Sequence, residues 1–285
     1  MFNHMKTAAL LGALSALVIT IGNAISPGSL YLFTGLAILM NVGAYFFSHK
    51  VVLAMHRARE VDPAAMPALD RMVTELSEKA GIPKPKLYVI PDQQPNAFAT
   101  GRNPANGVVA VTEGILRLLP ERELRGVIAH EIAHIRNRDI LLSTIAAVMV
   151  AIVSHAANAL GWMAMFGGGR SSDSEDRGSN PIAAIALMIA APLAATLIQL
   201  AISRSREYLA DATGAELAGD PDSLARALER LHTGAARFPL ATAQPATASM
   251  FIVNPLTSRG VSALFSTHPP FDERVRRLRE MRLHG

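Results

Sequence analysis

His130, Glu131 and His134 stand together in the run His130-Glu131-Ile132-Ala133-His134. Residues i and i+4 of an α-helix lie about 6 Å apart along the axis and nearly one above the other. Two imidazoles so placed can hold one Zn²⁺ at about 2.0–2.1 Å each. Glu131 is turned by about 100° from His130, so it flanks the metal without ligating it. From there it can take a proton from a zinc-activated water and later hand it to a leaving amine. The chain has no cysteine. That removes disulfides, thiolate metal sites and cysteine nucleophiles, and leaves His, Asp and Glu as the available ligands.

A catalytic zinc needs a third protein ligand and an open fourth position. The extended metzincin pattern would place Gly at 137 and His at 140, but Asn137 and Ile140 stand there, so that subtype is excluded. His155 falls deep in an apolar block. The better candidate is Glu207, in the run Ser203-Arg204-Ser205-Arg206-Glu207-Tyr208-Leu209-Ala210-Asp211. Asp211, one turn further on, can accept a hydrogen bond from a ligand imidazole and fix its tautomer. On spacing alone an equal alternative stands: a solvated helix face on which Glu207 and Asp211 pair with Arg204 and Arg206.

The elements that must position these residues are apolar and interrupted. Of 285 residues, 50% are hydrophobic and 18% charged, which excludes a disordered chain. Thr7 to His49 carries no Asp, Glu, Lys or Arg, and Ser26-Pro27-Gly28-Ser29 divides it. Two spans follow, about Met5–Ala24 and Leu30–Lys50, with a signal peptide as the alternative for the first. Ile140–Gly169 and Gly178–Ser203 form a second uncharged pair around a polar loop at 167–180, read as two further spans or as buried core helices. Lys6, Lys50, Arg57, Arg59, Arg136, Arg138, Arg204 and Arg206 flank these blocks on one side, which makes that side cytoplasmic.

Between the blocks, Pro63–Ala80 has helical spacing, ended by Gly81. Lys86–Ile90, Asn96–Thr100 and Gly107–Thr112 read as strands of a small antiparallel sheet. Pro120 breaks a short helix at Glu113–Leu119, and a longer one from Glu121 carries the two histidines. Its Leu124, Val127, Ile128 and Ile135 supply the face that holds it. Helices are expected over Arg204–Ala218 and Asp222–Leu231, a loop over Thr233–Ser266, and a basic amphipathic helix at Phe271–Leu283. That last helix packs on the domain or touches anionic lipid. The division is 1–50, an N-terminal transmembrane hairpin; 51–139, the first part of a protease domain; 140–203, a second hydrophobic hairpin; and 204–285, the second part. The net charge of +4 sits at membrane flanks and in the tail, which argues against nucleic acid as a partner.

Four motifs taken together carry a resemblance: Asn96-Ala97-Phe98-Ala99, His130-Glu131-Ile132-Ala133-His134, Ser205 to Asp211, and Thr267-His268-Pro269-Pro270 followed by Glu273-Arg274. Over nearly its whole length the chain resembles the HtpX family of bacterial membrane-bound zinc metalloproteases, related to the eukaryotic CAAX prenyl proteases. The resemblance implies one Zn²⁺ per chain on His130, His134 and Glu207, with Glu131 as general base. It implies a multi-pass protein of the inner membrane with its site facing the cytoplasm. The implied role is stress-related quality control, cleaving damaged or misfolded membrane proteins. Asn96 to Ala99 matches the segment beside the cleft, where an exposed strand edge could bind an extended substrate; a plain surface strand is the alternative. His268 and Arg274 match a pattern near the site, which implies a catalytic place for His268 and a substrate contact for Arg274. His268 could stabilise an oxyanion or be structural.

The expected fold is therefore mainly α, with four transmembrane helices and a cytoplasmic α+β zincin-like domain carrying a small sheet. The expected activity is zinc-dependent endoproteolysis, with unfolded or membrane-protein substrates and the lipid bilayer as partners. A membrane scaffold or receptor with a structural metal, and a processing protease of narrow specificity, are the alternatives. Structural zinc is usually closed by four protein ligands. Three ligands with a carboxylate at the base position favour catalysis. The oligomeric state is left open.

Overall fold

The computed structural model describes residues 2–25, 28–166, 204–237, 246–253 and 269–283. The expected span at Gly178–Ser203, the loop at 167–180 and His268 lie wholly or mainly outside them. Two long apolar helices open the chain, α1 (Phe2–Ile25) and α2 (Leu30–Met55). Strand β1 (Arg59–Glu60), helix α3 (Pro67–Ala80), strands β2 (Lys86–Ile90), β3 (Ala97–Thr100) and β4 (Val108–Thr112), and the short α4 (Glu113–Leu118) follow. Then come α5 (Glu121–Arg136), α6 (Ile140–Phe166), α7 (Arg204–Ala218), α8 (Pro221–Arg237) and α9 (Phe271–Leu283). The helix expected to stop at Leu231 runs on to Arg237, so the first residues of the expected loop are helical.

The sheet corrects the antiparallel expectation. Its order is β1-β2-β4-β3, and β2 pairs parallel with β4. β1 on β2 and β3 on β4 are antiparallel. The 17 residues between Ile90 and Val108 are long enough for the crossover that a parallel pair requires. Within that crossover the chain lays down β3 on the far side of β4. The two-residue β1 has no periodicity by which sequence could reveal it.

Alternate residues of a strand point to opposite faces, and here both faces are covered. Leu87, Ala97, Ala99, Val109 and Val111 pack into one core with residues of α3, α5, α7, α8 and α9. Ile90, Phe98, Val108 and Ala110 pack into a second with Val52 and Leu53 of α2 and Ala147 and Val148 of α6. The sheet is thus the layer that joins the apolar helices to the helical domain. A hydrogen bond of 2.9 Å between the hydroxyls of Thr100 and Thr144 pins β3 to α6.

The apolar helices differ in what covers them. α2 leaves Tyr31 89%, Leu32 69% and Leu39 68% exposed. With a mean hydropathy of 1.7 over its span window, it is the one described helix both long and apolar enough to cross a membrane. The first four turns of α6 are mostly buried, from Ile140 to Val153, against α1, α2 and β3. α5 and α6 meet at 90°, through Arg138 in a left-handed conformation (φ 58°).

Candidate metal centre

α5 begins after Pro120, with Glu121 and Glu123 in its first turn, where carboxylates complement the helix dipole. Its residues from Val127 to Ala133 are all buried. The helix is held by close backbone approaches on two sides. A Cβ at Gly126 would lie 2.7 Å from the Leu224 nitrogen of α8. A Cβ at Gly214 of α7 would lie 2.8 Å from both the nitrogen and the Cα of His130. Glycine at 214 is therefore what lets α7 lie directly against the backbone of a candidate ligand.

That contact brings together residues more than 70 positions apart. The Nε2 atoms of His130 and His134 face each other at 3.2 Å. Glu207 sends Oε2 to 3.9 Å from His130 Nε2 and Oε1 to 3.6 Å from His134 Nε2. One ligand atom from each of the three residues falls within a 4.8 Å cluster. Two nitrogens bound at 2.0–2.1 Å with a tetrahedral angle between them stand about 3.3 Å apart, so the pair has the spacing a single divalent cation needs.

Each imidazole has a carboxylate behind it. His130 Nδ1 lies 3.0 Å from Asp211 Oδ1, and His134 Nδ1 lies 3.4 Å from Asp139 Oδ2. Asp211 is gripped in turn by Arg274, whose Nε donates to Oδ2 at 2.8 Å and Nη2 to Oδ1 at 2.7 Å. Burial works to raise the Asp211 pKa, but Arg274 and His130 outweigh it and bring the carboxyl down to about 2. At His134 burial works to lower the pKa; the charges of Glu207, Glu131 and Asp139 overcome it and lift the group to about 9. The cluster is thus rich in negative charge and stabilises a cation, proton or metal, between its imidazoles.

Glu131 is 1% exposed, and burial pushes its carboxyl up to about 7 although His134 opposes the shift. The Ala99 backbone N–H donates to it. Glu131, His134, Glu207, Asp139 and Ala99 line one cavity of about 30 Å³, together with Ser249 and Met250. That is room for one water.

Two expectations change. β3 is the edge strand of the sheet, but Asn96 to Ala99 are buried rather than exposed. The Asn96 side chain donates to Val253 O at 2.7 Å, and the Ile252 N–H donates to Ala97 O at 3.0 Å, so residues 252–253 already occupy that end of the edge. Phe98 is enclosed between His56 and Phe251. Ala99 is the member of the four that reaches the cavity. Arg274 is 3% exposed, directs its guanidinium at Asp211 and the Ile252 carbonyl, and is absent from the lining of that cavity, so it acts through Asp211 rather than on a substrate. It is a positioning residue. Sequence reasoning missed Asp139; its signal was a lone carboxylate between the helix carrying the histidines and the uncharged block at Ile140. It also missed Gly214, whose role depends on a neighbour remote in sequence.

The family model described as Peptidase family M48 matches residues 63–282. A protein named Protease HtpX homolog from Syntrophobacter fumaroxidans is 54% identical over 283 residues, covering 99% of this chain and all of that one. A protein of the same name from Burkholderia mallei is 52% identical over 288 residues, covering 100% and 99%. The crystal structure of S. mikatae Ste24p superposes with a TM-score of 0.50 at 19% identity, covering 97% of this chain. The chain spans only 65% of that structure's length, and the likeness concerns the fold. With the family model spanning most of its length and relatives above 50% identity end to end, the chain belongs to peptidase family M48, the metalloproteases that include the HtpX proteins.

Proposed function

We propose that the chain is a zinc-dependent endopeptidase anchored in the bacterial inner membrane by several spans. In this reading it faces the cytoplasm and hydrolyses peptide bonds of damaged or misfolded membrane proteins. The observation that carries the chemistry is the pair of imidazole Nε2 atoms at 3.2 Å, with Glu207 completing the set and the Glu131 carboxyl beside it in the same small cavity.

Two imidazoles and one carboxylate suit zinc, and would hold it with one position left open. When bound, the cation supplies a Lewis acid that polarises the scissile carbonyl and acidifies a water. Everything else falls to the chain. Glu131 accepts the proton of the attacking water and gives it to the leaving nitrogen; burial of its carboxyl favours holding that proton between the two transfers. The Ala99 N–H fixes the orientation of the carboxylate. Asp211 and Asp139 engage the Nδ1 side of the two histidines and so turn each Nε2 toward the cation. Arg274 keeps Asp211 ionised and in place.

The exposed apolar face of α2 supports insertion in a bilayer, since such a face is stable only in lipid or under a partner. The basic flanks Lys6, Lys50, Arg57 and Arg59 support a cytoplasmic site. A second reading, a protease of narrow specificity, is favoured by the smallness of the cavity that Glu131, Ser249 and Met250 line.

The test is cleavage of casein and of an unfolded membrane protein by detergent-purified chain, wild type beside Glu131→Gln, with zinc measured on both. The expected result is about one zinc per chain in both samples and cleavage by the wild type alone. Comparable cleavage by Glu131→Gln would remove it as the base. Zinc in both samples and cleavage in neither would leave the narrow protease or a scaffold. A chelator should abolish turnover and lower the unfolding temperature, and zinc should restore both.

A further inference from the structure

Where α1, α2 and α6 meet the loop after β3 lies a groove of about 350 Å³ that the metal centre does not use. Leu11 of α1, Tyr45 of α2 and Leu141 of α6 form its apolar walls, and Arg102, Asn103 and Arg138 its polar end. Asn103 and Arg138 also line an adjoining depression of about 500 Å³, which adds Arg136. Among the described residues neither hollow is lined by a carboxylate, so three arginines contribute to one positive field there. Among the described residues neither Arg102 nor Arg138 makes an ion pair. Arg102 rests 5.0 Å from the centroid of Phe46, on the exposed face of α2, which fixes its charge beside a surface suited to lipid.

The combination selects its ligand. A free inorganic anion would use the arginines and leave the apolar walls bare. A purely apolar chain would leave the arginines unpaired. We propose that this groove binds an anionic phospholipid, its phosphate between Arg102 and Arg138 and an acyl chain along Leu11 and Leu141. Guanidinium groups bind phosphate oxygens through two parallel hydrogen bonds, and basic pockets between membrane helices are where such headgroups are held. The inference rests on the reading of α1 and α2 as membrane-inserted. It also reaches the metal centre, because Arg138 lies between His134 and Asp139 in the turn joining α5 to α6. A lipid phosphate held there braces the junction that sets the His134–Asp139 contact.

The experiment uses full-length protein, delipidated in neutral detergent and titrated with phosphatidylglycerol, phosphatidylcholine or inorganic phosphate. Bound lipid is read by native mass spectrometry and by the unfolding temperature. Phosphatidylglycerol should give one saturable adduct and raise the unfolding temperature; phosphatidylcholine should bind far more weakly and phosphate should do nothing at equal concentration. At roughly a fivefold loss per arginine, the double variant Arg102→Gln/Arg138→Gln should bind phosphatidylglycerol about 30-fold more weakly. Leu11→Trp, which fills the apolar wall without changing charge, should weaken it too and serves if the double variant does not fold. Equal binding of the two lipids, wild-type binding by these variants, or an equal effect of phosphate alone would overturn the proposal. Alkaline extraction of phosphatidylcholine vesicles carrying the protein separates the two readings. Protein that stays in the vesicles but shows no preference for phosphatidylglycerol defeats the lipid site alone, whereas protein released defeats the membrane reading as well.

Discussion

Gly214→Ala should disable the metal centre while leaving the fold in place. The added methyl would lie 2.8 Å from the nitrogen and Cα of His130 and 3.1 Å from the carbonyl carbon of Ala129. Carbon atoms pack at about 3.5–4.0 Å, so α5 and α7 must separate by roughly 0.7–1 Å. The obstacles are helix backbone and cannot rotate away. Glu207 rides on α7 two turns from Gly214, and His130 sits at the contact itself. The shift is therefore delivered to the distance between the ligands, where a metal site tolerates about 0.2 Å. Overpacking costs about 1–3 kcal/mol, and alanine recovers about 1 kcal/mol of helix propensity over glycine. The net loss of stability is then small beside the loss at the site. Zinc affinity should fall about 10–100-fold and turnover by about 100-fold. The assays are zinc competition against a chromogenic chelator, casein cleavage and thermal unfolding in the same detergent. Gly43→Ala, whose Cβ would meet open space, is the control. If Gly214→Ala binds zinc and cleaves within about threefold of wild type, the α5–α7 contact does not set the ligand geometry and the reasoning fails.

Arg274→Met removes both hydrogen bonds to Asp211 and strands a buried carboxylate, at a cost of about 3–5 kcal/mol seen as a lower unfolding temperature. Arg274→Lys should not rescue it, because an ammonium cannot reproduce the two-pronged contact. Asp139→Asn should lower zinc affinity about 10–100-fold with near-normal unfolding, as removal of a carboxylate behind a ligand does. His56 is fully buried, its Nε2 2.9 Å from the Thr247 hydroxyl, and burial lowers its pKa from 6.5 to about 4 although Asp92 opposes the shift. The unfolded chain therefore binds this proton more readily than the folded one. Its contribution is complete above pH 6.5 and is lost as pH falls toward 4, about 3 kcal/mol in all. Between pH 7 and 4 the unfolding temperature of wild type should drop more than that of His56→Gln; parallel curves would refute the assignment.

Much of the architecture was legible because it is written at short range. The spacing of His130 and His134, the break at Pro120 and the flanking apolar residues outline α5 without a neighbour. The bounds of β2, of α7 and of the last helix, Phe271–Leu283, coincide with those expected, since period and turn residues are local properties. What was misread depends on partners. Antiparallel pairing was expected of three strands, but whether β2 meets β4 parallel depends on where the crossover carries the chain. Arg274 looked like a substrate contact, and only its burial against Asp211, 63 residues away, makes it a positioning group. Asn96 looked exposed until Val253, 157 residues on, came to rest against it.

By itself the sequence determined which chemistry was available: no thiolates, two imidazoles one helical turn apart, a carboxylate beside them and apolar blocks to carry them. Helix periodicity needs no more than the order of residues. Only the tertiary structure decided that Glu207 faces those imidazoles rather than solvent, that Asp139 and Asp211 stand behind them, and that Gly214 lets the two helices touch. Those facts depend on how closely separate elements pack, and packing distance is a property of side-chain volumes meeting across space, which no spacing along a single chain contains.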